Sequence, residues 1–400
     1  MKNILLLTLA NFEDINKRGI YPDLVKTLAD KCDVFVVSPR EKRTKLKTEL
    51  SIYGNIKTLK VQTGNITKCG FIEKGISTLL IEKQYLNAIN KYFKDIKFDM
   101  VMYSTPPITF GKVIKHFKIK HQSISYLILK DIFPQNAVDI GLIKKNGFLH
   151  KYFRKKEKQL YELSDYIGCM SPANIKYILD HNPSLDKNKI EVFPNAIIPI
   201  EKKEKSEKDV DLLNRYKIPA DSVLFVYGVN LGKPQGIDFL LEVVSNFHRV
   251  KKGFLLIVGS GTEYNKLKSH FNTVKPSNAA LFGYLHKNEY DKLLGNTDIG
   301  LIFLDKRFTI PNFPSRLTAY MESSMPILAA TDKNTDIKDV IKNSENGLWS
   351  ESGDIESFIS NANKLADNEE LRTKMSTNSR RYLEENYDVR KTVEIILGKI

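Results

Sequence analysis

The fold class the sequence predicts is α/β, built as two Rossmann-like domains. Three observations predict it. Short apolar runs alternate with helix-length segments along the 400 residues, the rhythm of parallel sheets. That rhythm breaks once, at Glu201–Lys208, where nearly every residue is charged, and then starts again. Many of the runs end in polar, glycine- or proline-bearing loops, and ligands of such sheets gather at strand carboxyl ends.

The elements follow in order. In the first half the expected strands are NILLLTL, DVFVVS, FDMVMYS, SISYLIL, DYIGCM and IEVF. Helices are expected between most of them, at Gly19–Asp30 and Ser77–Phe93 among others. After the break the strands are SVLFVYG, GFLLIVG, AALFG, DIGLIFL and PILAA. The expected division is therefore a first domain over 1–200, a charged linker over 201–210, a second domain over 211–378, and a helical segment over 379–400. No strand follows that last segment, so it is free to cross back onto the first domain.

Composition narrows the function classes. Hydrophobic residues make up 42%, enough for two cores, and no apolar run approaches a membrane span. The start, MKNILLLTLANFEDI, lacks a small-residue cleavage site and turns acidic at Glu13 and Asp14, so it reads as a buried strand rather than a signal peptide. Three scattered cysteines give no disulfide framework, and seven histidines show no ligand spacing. A reducing, cytoplasmic setting and no metal are the expectations. The net charge of +15 has three readings: a solvated lysine-rich surface, attraction to anionic membrane or phosphorylated ligands, and nucleic acid. Without a nucleic-acid-binding motif, the last ranks third and no nucleic-acid partner is expected.

Four segments of the second half carry candidate chemistry. In YGVNLGKPQGIDFLL, Gly232 and Gly236 offer backbone amides to an anion and Lys233 adds a charge; a plain strand–helix turn explains it equally. In LLIVGSGTEYNKL, Gly259 and Gly261 turn tightly into a helix, with or without a ligand. In LFGYLHKNEYDKL, the Tyr284–His286 backbone follows a strand end. In NFPSRLTAYMESSMPILAATD, a loop leads through Pro314 and Ser315 into a short helix, and Pro326 precedes a buried strand. Arg316 sits in that helix's first turn, where a cation is electrostatically out of place unless an anion joins it.

The order GVNLGKPQG, IVGSGTE, FGYL, NTDIGLIFL, PSRL…PILA resembles the nucleotide-sugar domain of bacterial group 1 (family 4) glycosyltransferases of the GT-B fold. The first half is similar in layout, with Gly19 at the first helix, then KDIFPQNAVDIG, SDYIGCMS and FPNA. The resemblance is closest to the subgroup building capsule and O-antigen repeats, including N-acetylfucosamine-type transferases. It implies two domains facing a cleft and a retaining, metal-independent transfer from a nucleotide sugar, first of all a UDP-sugar. The acceptor implied is a saccharide on a polyprenyl diphosphate, and the enzyme would sit peripherally on the inner face of the cytoplasmic membrane. Donor contacts would come from Gly19, Asn230, Gly232, Gln235, Gly261, Tyr284, Leu285, Pro314, Ser315 and Leu317, with Lys233 and Arg316 as catalytic cations. A sugar-nucleotide epimerase of the same fold and a non-catalytic relative that binds donor or membrane are the alternatives.

The sequence also departs from the wider family. Many relatives carry Arg and Lys where Asn230 and Gln235 stand, and two glutamates, with seven residues between them, where Pro311 and Ala319 stand. Lys233 and Arg316 are the cations left to meet the charge that gathers on a departing diphosphate. In the first half, Asp131 follows a strand and precedes Phe133-Pro134; it could accept a proton from an acceptor hydroxyl or simply cap a turn. Glu13 and Asp14 are lesser acceptor-binding candidates. Phe148, Tyr152, Phe153, Leu160 and Tyr161 mark an amphipathic helix over Lys144–Leu163. Its basic side faces either water or an anionic membrane, and the loop Arg40–Leu50 could extend that basic face. Asp209-Val210-Asp211 forms a DxD by chance within the linker.

Overall fold

The computed structural model describes residues 1–67, 69–201 and 208–400. Residues 202–207, most of the expected linker, lie outside the described residues. The chain divides into two compact units, Met1–Ile198 with Tyr387–Ile400 and Pro199–Asn386.

In the first unit the strands are β1 (Lys2–Leu7), β2 (Cys32–Glu41), β3 (Glu49–Tyr53), β4 (Ile56–Thr63), β5 (Met100–Ser104), β6 (Ile124–Leu129), β7 (Tyr166–Cys169) and β8 (Ile190–Val192). They lie in the order β3-β4-β2-β1-β5-β6-β7-β8. All neighbours are parallel except the β3–β4 hairpin. β1 is the pivot: the chain first builds outward through β2, then returns to β1's other side with β5. That reversal leaves a crevice at the carboxyl ends of β1 and β5, the usual ligand position in such sheets. The apolar runs behave as doubly covered strands should. Ile4 to Leu7 and Met100 to Tyr103 are fully buried, as expected of strands sandwiched between helices.

The sequence pattern did not reveal β3 and β4. The expected basic loop Arg40–Leu50 instead contains the end of β2, a short 3₁₀ turn at Lys42–Thr44 and the start of β3. ELSIY alternates on a half-covered edge and gives little hydrophobic signal. Arg40 does not extend a basic face. It is buried, with its guanidinium on Glu13 (2.9 Å) and Glu49 (2.8 Å).

The last residues belong to the first unit. The helix Val389–Leu397 buries Val389, Val393 and Ile396 and packs on the helix Ile20–Ala29. Ile197 bridges the chain's return, donating to the Tyr387 carbonyl at 3.0 Å and accepting from the Val389 amide at 2.9 Å. The boundary expected between 378 and 379 falls inside the continuous helix Glu369–Asn386. That helix stays with the second unit because Asn378 Nδ2 and Ser379 Oγ donate to the carbonyls of Glu345 and Met325.

The second unit has β9 (Val223–Asn230), β10 (Gly253–Ser260), β11 (Ala279–Phe282), β12 (Ile299–Phe303), β13 (Ile327–Thr331) and β14 (Gly347–Glu351). Their order is β11-β10-β9-β12-β13-β14, and every recorded pair is parallel. Here β9 is the pivot and the crevice lies between β9 and β12. Phe225, Phe303 and Phe358 centre its core, with edge-on ring pairs such as Tyr227–Phe303 at 5.0 Å. β14 was not anticipated from the sequence, since GLWSE is short and half-covered.

The Arg316 helix (Arg316–Glu322) is held by Tyr320, whose ring lies against bare backbone at Gly300 of β12. A methyl at Gly300 would overlap that ring. Gly300→Ala should therefore destabilise the second unit by about 1–3 kcal/mol, read as a lower urea midpoint with unchanged m-value. An unaltered midpoint would show that the ring has room to move.

Candidate functional site

In the second unit, loops from four strand ends converge. Gly236, at φ +58°, carries its turn against the Leu304–Asp305 backbone, too close for a side chain. The Asp305 amide donates to the Pro234 carbonyl at 3.1 Å. Gly261 presses still closer on the Leu231 backbone, where the Leu231 amide donates to the Ser260 carbonyl at 2.8 Å and the Glu263 amide to the Leu231 carbonyl at 3.0 Å. The loop after β12 is pinned from the turn that follows β13: Asn334 Nδ2 donates to the Phe308 carbonyl and Thr335 Oγ1 to the Asn312 carbonyl, both at 2.6 Å. A bidentate Arg307–Asp305 pair stiffens its start.

Arg316 lies at the head of this assembly. Its guanidinium stands over the Tyr227 ring, 4.9 Å from the centroid, and its Nη1 is buried with no hydrogen-bond partner among the described residues. Tyr320, one turn on, donates to the Val226 carbonyl at 3.3 Å and accepts from the Gly228 amide at 3.4 Å. Tyr290 rests its phenol on Gly228, where no side chain would fit. Burial raises the Tyr320 hydroxyl to about 12, and Arg316 offsets part of that rise. The Tyr227 hydroxyl is raised for the same reason. Three neutral phenols thus surround one fixed cation at the end of β9.

The other expected donor residues divide. Lys233 is exposed on a 3₁₀ turn, with Asn230 exposed at the end of β9. Gly232 and Gly236 do not leave their amides open. The first donates to Gln235 Oε1 at 3.1 Å and the second to the Lys233 carbonyl at 3.3 Å, so Gln235 caps its own turn. Leu317 is fully buried, which leaves only its backbone for a ligand. Pro314 is partly buried and Ser315 exposed at the helix start. Tyr284 is exposed, with Leu285 partly covered beside it, at the end of the edge strand β11. Ala319 is exposed while Pro311 is buried. Glu322 accepts the Ile200 amide at 3.2 Å, so it does not replace a missing glutamate. Asp209 of the chance DxD caps the helix Val210–Arg215 through the Leu212 amide. Among the described residues, no three His, Cys, Asp or Glu side chains cluster as metal ligands.

In the first unit the carboxyl ends of β1, β5 and β6 form a second polar site. Thr105 fixes it: Oγ1 accepts from the amides of Lys130 and Asp131 and donates to the Asp131 carbonyl, all at 3.1–3.2 Å. The Asp131 carboxylate takes Asn136 Nδ2 at 2.6 Å. Burial pushes it up to about 6 against the bonds from Asn136 and the Ile132 amide. Lys130, which the sequence reading passed over, has its ammonium pulled down to about 7 by burial. Ser104 and Thr8 bond to each other and hold the Tyr21 hydroxyl. Gly19 is the N-cap of the helix that carries Tyr21. Glu13 is not free for a ligand, because Arg40 takes both its oxygens and lowers its pKa. Its loop faces β2 and β4, whereas Asp131 lies beyond β5. Asp14 is exposed and turns onto the Asn16 amide at 2.9 Å.

The helix Phe148–Leu163 is amphipathic in a different way from that expected. Leu160 and Tyr161 are buried, and Phe153 packs on Phe133 at 5.0 Å. Phe148 is 83% exposed and Leu149 43%, beside Lys151 and Lys155. No described helix is long and apolar enough to cross a membrane.

Two Rossmann-like units, each with a polar site at its strand reversal, define the GT-B class. Solved structures agree over the whole length. A sucrose-phosphate synthase from Thermosynechococcus elongatus is similar at TM-score 0.75 and 14% identity, covering 100% of this chain and 98% of the other. HepE from Anabaena, solved with UDP-glucose, is similar at 0.70 and 12%, covering 100% of both. These likenesses establish the fold. In sequence, residues 211–382 match the family Glycosyl transferases group 1. "Probable glycosyltransferase WbjE" of Pseudomonas aeruginosa is 24% identical over 249 residues, 61% of this chain and 60% of that protein.

The Asp131 carboxyl gives a direct test. Its folded pKa of about 6 lies above the usual 3.8, so the folded state holds the extra proton between those values. Stability contributed by the protonated form is present at low pH and falls as pH rises through that window. Relative to Asp131→Asn, the parent should lose about 3 kcal/mol between pH 4 and 6 and then level off. A flat difference in urea titrations would rule out the shift.

Proposed function

We propose that this protein is a retaining glycosyltransferase using a nucleotide-sugar donor, with UDP-sugars first. The observation that carries the reading is Arg316: a cation over Tyr227, with a buried nitrogen still unpartnered, at the strand reversal of the unit that matches the family. A departing nucleoside diphosphate gains negative charge as the glycosidic bond breaks. A fixed guanidinium with spare donors stabilises that charge without reorganising, and Lys233 adds a second, mobile cation. The tight approaches at Gly236 and Gly261 keep the strand-end loops close-packed around the crevice. HepE, one of the structures with this fold, was solved with UDP-glucose, which supports the choice of nucleotide. The transfer needs no metal on this reading, since the two cations take a metal's electrostatic role.

The acceptor is a saccharide on a lipid diphosphate, destined for capsule or O-antigen, and it binds the first unit. Asp131 receives or orients the proton of its hydroxyl; burial keeps it a better base than a solvated aspartate. WbjE's designation as a glycosyltransferase supports the reaction class. The enzyme works on the inner face of the cytoplasmic membrane, with Phe148 and Leu149 entering the interface and the neighbouring lysines meeting anionic headgroups.

Arg316→Ala should weaken UDP binding by about 10- to 100-fold in calorimetry, the range of a charge-assisted bond. Lys233→Ala should weaken it only a few-fold. The reading fails if no UDP-, GDP- or TDP-sugar is bound or hydrolysed and Arg316→Ala changes nothing. For the membrane contact, Phe148→Ser with Leu149→Ser should reduce co-sedimentation with phosphatidylglycerol vesicles by roughly tenfold or more. A parent protein that stays in the supernatant would remove this contact.

A further inference from the structure

Lys130 directly follows β6 and is partly buried in the first unit, and among the described residues no acid pairs with its ammonium. Nζ donates to Asn195 Oδ1 at 2.7 Å, and Asn195 is itself buried. The ring centroids of Tyr21 and Phe193 each lie 5.9 Å from Nζ. All three neighbours attract a cation and none cancels it. The titratable groups nearby do not help. Asp131, next in the chain, turns its carboxylate to Asn136. Tyr21, from the helix Ile20–Ala29, is raised to about 12 by burial and stays neutral. Burial pulls the Lys130 ammonium down to about 7.

An ammonium drawn partly out of water without a counter-ion is unfavourable, and an apolar residue after a buried strand would avoid that. The surroundings nevertheless orient the charge. Thr105 clamps the Lys130 amide, Asn195 directs Nζ, and two aromatic faces flank it. Such an arrangement makes physical sense if the missing charge arrives with a ligand.

We propose that Lys130 is the counter-charge for an anionic group, phosphate or carboxylate, on the ligand of the first unit. This rests on reading that unit as the acceptor site. Two sources share the chemistry: the diphosphate of a lipid carrier and the carboxylate of a sugar acid. The pairing also explains the depressed pKa, because an arriving anion restores the proton that burial expels.

The test uses the full chain carrying Arg316→Ala, which suppresses phosphate binding in the second unit. It is titrated calorimetrically at pH 7.5 with inorganic pyrophosphate, with glucuronate, and with glucose as the neutral control. One of the two anions should bind and glucose should not. Adding Lys130→Gln should weaken that anion by about tenfold or more, and Lys130→Arg should hold it within about threefold. Repeating the titration in buffers of different ionisation heat should show proton uptake that Lys130→Gln abolishes. Binding of pyrophosphate assigns the anion to the carrier, and binding of glucuronate to the sugar. Equal anion affinity with and without Lys130, or no anion binding at all, overturns the proposal. Lys130→Met, close in volume, is the folding control: a normal melt with lost anion binding excludes a merely structural role. UDP-sugar binding by the parent is scored separately, so Lys130-dependent anion binding without it would sink the transferase reading alone.

Discussion

The second unit's site depends on one ring lying against bare backbone. Tyr320 fits where Gly300 lacks a side chain, and its hydroxyl bridges the Val226 carbonyl and the Gly228 amide. That contact fixes a helix of seven residues, too short to be stable by itself. Once fixed, the helix sets Arg316 one turn earlier over Tyr227. Take away the close approach and the guanidinium becomes an ordinary surface side chain, with its long stem free to wander. Position, rather than the presence of a cation, is what the close approach at Gly300 secures.

The two units solve a similar electrostatic problem in similar ways. Each holds a cation at the carboxyl end of a parallel strand or beside it, and each surrounds that cation with aromatic faces rather than carboxylates. Arg316 has Tyr227; Lys130 has Tyr21 and Phe193. A ring quadrupole steadies a cation by roughly 0.5–2 kcal/mol but does not neutralise its field. The charge stays available to an incoming anion. A salt bridge in the same place would hold the side chain more firmly and extinguish its electrostatic reach. Glu13 and Arg40 show that alternative within the same protein: two charges locked together, stiffening a loop and offering nothing outward.

Much of the architecture could be read from the sequence because buried parallel strands advertise themselves as unbroken apolar runs. NILLLTL, DIGLIFL and PILAA are examples. What escaped differs in kind: β3 and β14 are short and half-covered, whereas β4 is mostly buried but sets lysines and threonines among its apolar residues, so it shows no apolar run. The placement of Arg316 in the first turn of a short helix was legible from NFPSRLTAYMESS. The surrounding phenols were not, because Tyr227, Tyr290 and Tyr320 come from three different elements and meet only through folding. Gln235 and Gly232 misled for the opposite reason: their types suit a ligand, but they bond to each other. Lys130 left one trace, a charged residue closing the apolar run SISYLIL. Its lack of an acidic partner could be seen only with Asn195 and Phe193 brought back beside it.

The chain's path has a consequence for how the protein comes into being. The helix Ile20–Ala29 is made near the beginning, yet the helix Val389–Leu397 that packs on it is made after the whole second unit has been synthesised. At a ribosome adding residues one by one, the first unit must wait, with one side of an early helix uncovered, until the final stretch emerges. The second unit, complete by Asn386, can close while the first remains unfinished. The order of synthesis is thus reversed in the order of completion, and the uncovered helix is where a chaperone would have reason to hold the nascent chain.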